Sequence, residues 1–158
     1  MSLRTLKRIE LAESQLKTAI GLFVSGGDKF SAISLAGAAD VILCRLVSNL
    51  EKENFTEFLL KQAASKGDQS ETIQSLGRCI NDTLFINDLK HMDEGEDGYI
   101  DIDVEECALG AILKTLANYV ILAGRNEDFV QAFLVWVQLN LDPKKYNIYC
   151  DPNWKPIT

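Results

Sequence analysis

Between residues 30 and 50 the chain reads FSAISLAGAADVILCRLVSNL, and apolar positions cover most of a helix wound at about 100° per residue. Ser31, Ser34, Arg45, Ser48 and Asn49 gather on one polar strip. A segment of this kind belongs at the centre of a helical core. Asp40 falls on its far side, among Ile33, Ala36, Leu43 and Val47, where a carboxylate is costly unless a partner answers it.

The rest of the chain repeats the helical period. Over residues 3–24, Leu6, Ile9, Leu16, Ile20 and Phe23 make a stripe, with Lys7, Arg8, Glu13 and Lys17 facing water. Gly26 and Gly27 stop this helix and Asp28 caps the next, which predicts an antiparallel hairpin. Asn54 followed by Glu57 is a capping-box start for a short third helix to about Ala64, closed by Gly67. Asp68 and Glu71 repeat that signal for a fourth, whose stripe of Ile73, Leu76, Ile80 and Leu84 continues onto Asn87 and His91. Asp103 with Glu106 opens a fifth helix to about Ala123, stopped by Gly124. Asn126 is the expected cap of a sixth, residues 129–141, ended by Asp142 and Pro143. The pattern predicts an all-α, antiparallel up-and-down helical bundle of five to six helices in one domain, residues 1–141. The aromatic tail, residues 142–158, is expected to pack on the bundle or on a partner protomer.

Composition supports this picture. All three prolines lie at or after Pro143, so the first 142 residues carry no helix breaker. The net charge of −7 offers phosphate backbones no global attraction, so RNA binding would need a local basic patch. Cys44, Cys79, Cys107 and Cys150 form no CxxC pair, and with a single histidine they do not suggest zinc. Free thiols in a cytoplasmic chain, with no metal and no cofactor, are the expectation. Asp40 and Arg45 interrupt the longest apolar run, so no membrane span is expected.

Two polar constellations stand out. From Asp93 the acidic loop DEGEDGYIDID meets an EF-hand template at Asp97, Gly98 and Asp101, but has Gly95 at the third place and Val104 at the twelfth. Without the closing glutamate it reads better as a solvated, helix-capping loop than as a calcium site. The other is INDLKH, residues 86–91. It reads as a helix C-terminus with Lys90 and His91 complementing the dipole, or as the source of Asp40's partner. The candidates for that partner are His91, Lys90, Asn87 and, farther back, Arg78.

SAISLAGAAD, NDLKH and IDIDVEECALGAILKTLANYVILAGR, in that order, resemble the HEPN superfamily, in particular a bacterial subgroup, over most of residues 11–124. The resemblance implies a helical bundle, frequently a homodimer, and a nucleotidyltransferase-type partner protein. Many members are metal-independent ribonucleases of toxin, defence or RNA-processing systems, and others are non-catalytic binding modules. By this resemblance the catalytic candidates are His91, Asn87 and Asp40, but the arginine of the family motif falls on Ile86. The preferred expectation is therefore a non-catalytic interaction or binding module in a bacterial stress, toxin-antitoxin or defence setting. A ribonuclease with a degenerate motif is the alternative, with Lys90, Arg78 or Arg125 replacing the arginine at the substrate. A simple dimeric scaffold is the third.

Overall fold

A computed structural model describes residues 2–67 and 72–142. These hold six α-helices: α1 (Arg8–Val24), α2 (Lys29–Asn49), α3 (Phe55–Ser65), α4 (Ile73–Thr83), α5 (Val104–Ala123) and α6 (Asp128–Asn140). They fall into two compact units, Met1–Ala123 and Gly124–Thr158. The fold is all-α, with no strand among the described residues.

Local chemistry sets the ends of the first helices. The Lys7 amide donates to Glu10 Oε2 at 3.0 Å, so α1 starts at Arg8, later than the apolar stripe suggests. Past Val24 the chain turns through Gly26 at φ +75°, and the Gly27 amide donates to Leu22 O at 2.8 Å. Asp28 then caps α2 by accepting from the amides of Phe30 and Ser31 and from the Ser31 hydroxyl. The Ser31 hydroxyl, aided by the two amides, holds the Asp28 carboxyl below its ordinary pKa. The cap therefore contributes fully above the usual carboxylate range and is lost as pH falls through the depressed value.

Helix α2 packs between α1 and α5. Its buried face is made of Ala32, Ile33, Ala36, Gly37, Ala39, Asp40, Leu43 and Val47. Small residues let α5 come close enough for the Thr115 hydroxyl to reach Ala36 O at 2.9 Å, as well as Ala111 O in its own helix at 2.7 Å. Lys29 pairs with Glu105 at 3.1 Å, and Asp40 meets Lys114 and Asn118. The partners rise together in number, so α2 and α5 run parallel. The strictly up-and-down order expected from sequence gives way here, because residues 50–103, including α3 and α4, return the chain to the end where α2 began. By length and composition α2 and α5 could each cross a membrane. In the fold 44% of the apolar window of α2 and 56% of that of α5 is buried.

The end of α2 carries a strained cap. The Glu51 amide donates to Ser48 O and the Lys52 amide to Val47 O, with Glu51 at φ +55°. This is a left-handed cap of the kind glycine fills without steric cost. Glu51→Gly is expected to stabilise the chain by about 1 kcal/mol, read as a higher thermal midpoint. An unchanged or lower midpoint would contradict that account of the cap.

The same motif ends α4 much earlier than its apolar stripe suggests. Phe85 adopts φ +57°, its amide donates to Asp82 O, and the Ile86 amide donates to Asn81 O, both at 3.0 Å. Helix α4 thus stops at Thr83, and a separate turn follows in which the amides of Lys90 and His91 donate to Asn87 O. Ile86 is the buried residue of this segment. It lies where Gly37 has no side chain: a Cβ built on Gly37 would fall 2.6 Å from Ile86 Cγ2. Asp68 and Glu71, the expected cap of this helix, lie outside the described residues.

Helix α5 opens as expected, with the Glu106 amide donating to Asp103 Oδ1 at 3.1 Å. In the second unit α6 is capped at Glu127 rather than Asn126. There Phe133 stacks on Trp136 with centroids 6.1 Å apart, and Asn140 Nδ2 donates to Trp136 O at 2.8 Å. Residues 143–158 of the aromatic tail lie outside the described residues.

Candidate functional site

Asp40 is answered from α5. Lys114 Nζ donates to its Oδ2 at 2.5 Å and Asn118 Nδ2 to its Oδ1 at 2.8 Å. The side chains of Asp40 and Lys114 are each only 7% exposed. Lys114 also donates to Asn81 Oδ1 at 3.1 Å, and Asn118 Oδ1 accepts the Phe55 amide at 2.9 Å. One polar network therefore joins α2, α3, α4 and α5. Each carboxylate oxygen has a donor, which is what allows the charge to stay inside.

The expected pairing of Asp40 with Asn87 and His91 does not form. Because Phe85 ends α4, Asn87 and His91 sit on the exposed turn beyond it, and no hydrogen bond joins either side chain to Asp40. Asn87 Nδ2 donates instead to Asp82 Oδ1 at 3.3 Å. Lys90 and Arg78 are exposed as well, and Arg125 belongs to the second unit. Asp40 thus cannot hold the His91 tautomer, the part it was expected to play in acid–base chemistry. In the acidic loop, Asp93, Asp97 and Asp101 are exposed, and Asp97 Oδ1 accepts the Tyr99 amide at 3.0 Å. No group of three or more His, Cys, Asp or Glu side chains among the described residues is arranged to hold a metal ion.

Sequence reasoning missed Lys114 and Asn118, although a signal was present. Lys114 is the single charged residue between Cys107 and Ala123, and Asn118 follows one turn later. A lone cation in one apolar helix is the natural answer to a lone carboxylate in another.

No protein-family model, curated protein or solved structure matches this chain.

Asp40, Lys114 and Asn81 of this network line a groove of about 770 Å³ in the first unit and form its floor. Helix α2 contributes Val41, Cys44, Arg45 and Ser48 to its wall, α3 contributes Thr56 and Glu57, α4 contributes Gly77 and Asn81, and Arg8 of α1 lies at its edge. Burial, and then the Asp40 charge, push the Cys44 thiol above its ordinary pKa, so it stands in the groove as a neutral thiol rather than a nucleophilic thiolate. The Glu57 carboxylate accepts the Asn54 amide at 2.9 Å, completing the capping box expected for α3. The groove can offer hydrogen-bond donors, but it has no imidazole and no activated nucleophile.

Proposed function

We propose that this chain is a non-catalytic, HEPN-like binding module. The observation that carries the reading is the saturation of Asp40 by Lys114 and Asn118, which removes the acid from any constellation with His91. The sequence resemblance adds a homodimer, a bacterial stress, toxin-antitoxin or defence setting and a nucleotidyltransferase-type partner, and the unclustered cysteines add a cytoplasmic location.

A metal-independent ribonuclease is the second reading, favoured by the exposure of both Asn87 and His91 on one turn. Against it, Ile86 stands in the arginine slot and is buried, so no guanidinium is fixed beside the imidazole to meet a scissile phosphate. The neighbouring sequence is also acidic: Asp82, Asp88, Asp93 and Glu94 surround the single Lys90. Purified protein incubated with RNA in EDTA is expected to leave the RNA intact. Cleavage that disappears in His91→Ala would overturn the non-catalytic reading in favour of the second.

A further inference from the structure

We propose that the groove between α2, α3 and α4 binds a small organic oxyanion, a phosphate monoester or a carboxylate, held by Arg8 and Arg45 at the edge and by Lys114 and Asn81 at the floor. The inference rests on the binding-module reading and names the ligand class.

Size is the first argument. A volume of about 770 Å³ lies inside the range of small-molecule pockets. Charge is the second. The groove is lined by three cations, Arg8, Arg45 and Lys114, against two carboxylates, Asp40 and Glu57, in a chain whose net charge is −7. Both carboxylates already accept hydrogen bonds inside the fold. The two guanidiniums make no ion pair or hydrogen bond with any described residue. The charge left over is therefore positive, and a guanidinium presents the fork that two oxygens of a carboxylate or phosphate accept.

Unused donors at the floor are the third argument. An ammonium carries three N–H groups, and Lys114 spends two, on Asp40 and Asn81. It lines the groove with a side chain 93% removed from solvent, so its third N–H is a buried donor with no acceptor among the described residues. Asn81 accepts from Lys114 through Oδ1, which leaves its Nδ2 group as a neighbouring donor. Donors without acceptors call for an acceptor-rich ligand rather than a cation. Gly77 keeps the α4 wall open, since a Cβ there would meet only Thr56 Cγ2, at 3.8 Å. The concave shape suits a small molecule, whereas a polyanion would have to extend beyond the groove over a chain whose net charge is −7.

The test is calorimetric titration of the full chain at low ionic strength with inorganic phosphate, adenosine monophosphate and succinate. At least one probe is expected to bind with millimolar or tighter affinity; phosphate and nucleotide without succinate would mark a phosphate ligand, and succinate alone a carboxylate. Arg8→Gln with Arg45→Gln is expected to weaken binding by about tenfold or more. Gly77→Leu should weaken it comparably by filling the groove with every charge in place, and Lys66→Gln, on the exposed end of α3, should leave it unchanged. Absence of binding by all three probes up to about 10 mM would overturn the proposal, and so would binding that both groove variants leave intact. Tighter binding of a short oligoribonucleotide than of the mononucleotide would overturn it in favour of a polyanion surface. None of these outcomes bears on cleavage in EDTA, so failure here and failure of the non-catalytic reading are separate results.

Discussion

Lys114→Met is expected to destabilise the fold by about 3–5 kcal/mol, because it leaves the Asp40 carboxylate buried with only the Asn118 amide for company. The measurement is the denaturant midpoint at neutral pH, with the slope of the transition checked for two-state behaviour. A methionine fills most of the lysine stem's space, so the loss reports charge rather than volume. Adding Asp40→Asn should recover most of it. The new amide still offers an acceptor to Asn118 Nδ2, and no unpaired charge remains inside. If Lys114→Met moved stability by less than about 0.5 kcal/mol, or if the double variant were no better than the single, the buried pair would not have the energetic role assigned to it.

Gly37→Ala is expected to cost about 1–2 kcal/mol net, although the same change in an open helix position gains up to about 1 kcal/mol. The new Cβ would fall 2.6 Å from Ile86 Cγ2, a methyl on a β-branched carbon whose stiff χ1 lets it yield less readily than the end of a flexible side chain. Adding Ile86→Leu removes that methyl and should restore more than half of the loss. Two further glycines calibrate the result. Gly110→Ala meets only Leu84, nearest at Cδ2, the end of a flexible side chain, and should cost less. Gly21→Ala meets nothing within 4 Å and should stabilise. A Gly37→Ala variant as stable as Gly21→Ala would show that Ile86 does not seat against α2 in solution.

These two sites also mark where the sequence could be read and where it could not. The Gly26–Gly27 stop, the Asp28 cap, the Asn54–Glu57 box and the Asp103 cap were legible because each is decided within four residues by local hydrogen bonding. So was the burial of Asp40, which follows from the period of α2. The end of α4 was not. Phenylalanine in a left-handed cap carries no local signature, and what puts it there is the fit of Ile86 into the space above Gly37, forty-nine residues away in sequence. A helix continued through that point would put Asn87 and His91 on the core face, whereas the partners of Asp40 come from α5. Lys114 lies seventy-four residues from Asp40, and only the lone charge in an apolar helix advertised it.

The parallel pair of α2 and α5 gives the buried amide a further part. Asp40 and Lys114 both sit close to the midpoints of their helices, so a fifth helix inserted upside down would still carry its ammonium past the carboxylate. Asn118 would not follow. It lies one turn, about 5.4 Å, from Lys114 and would point away from the start of α3, stranding both Asp40 Oδ1 and the Phe55 amide. The ammonium cancels a charge, whereas the amide records which way up the helix entered, and a reversed core is penalised by two orphaned polar atoms rather than by any loss of greasy contact.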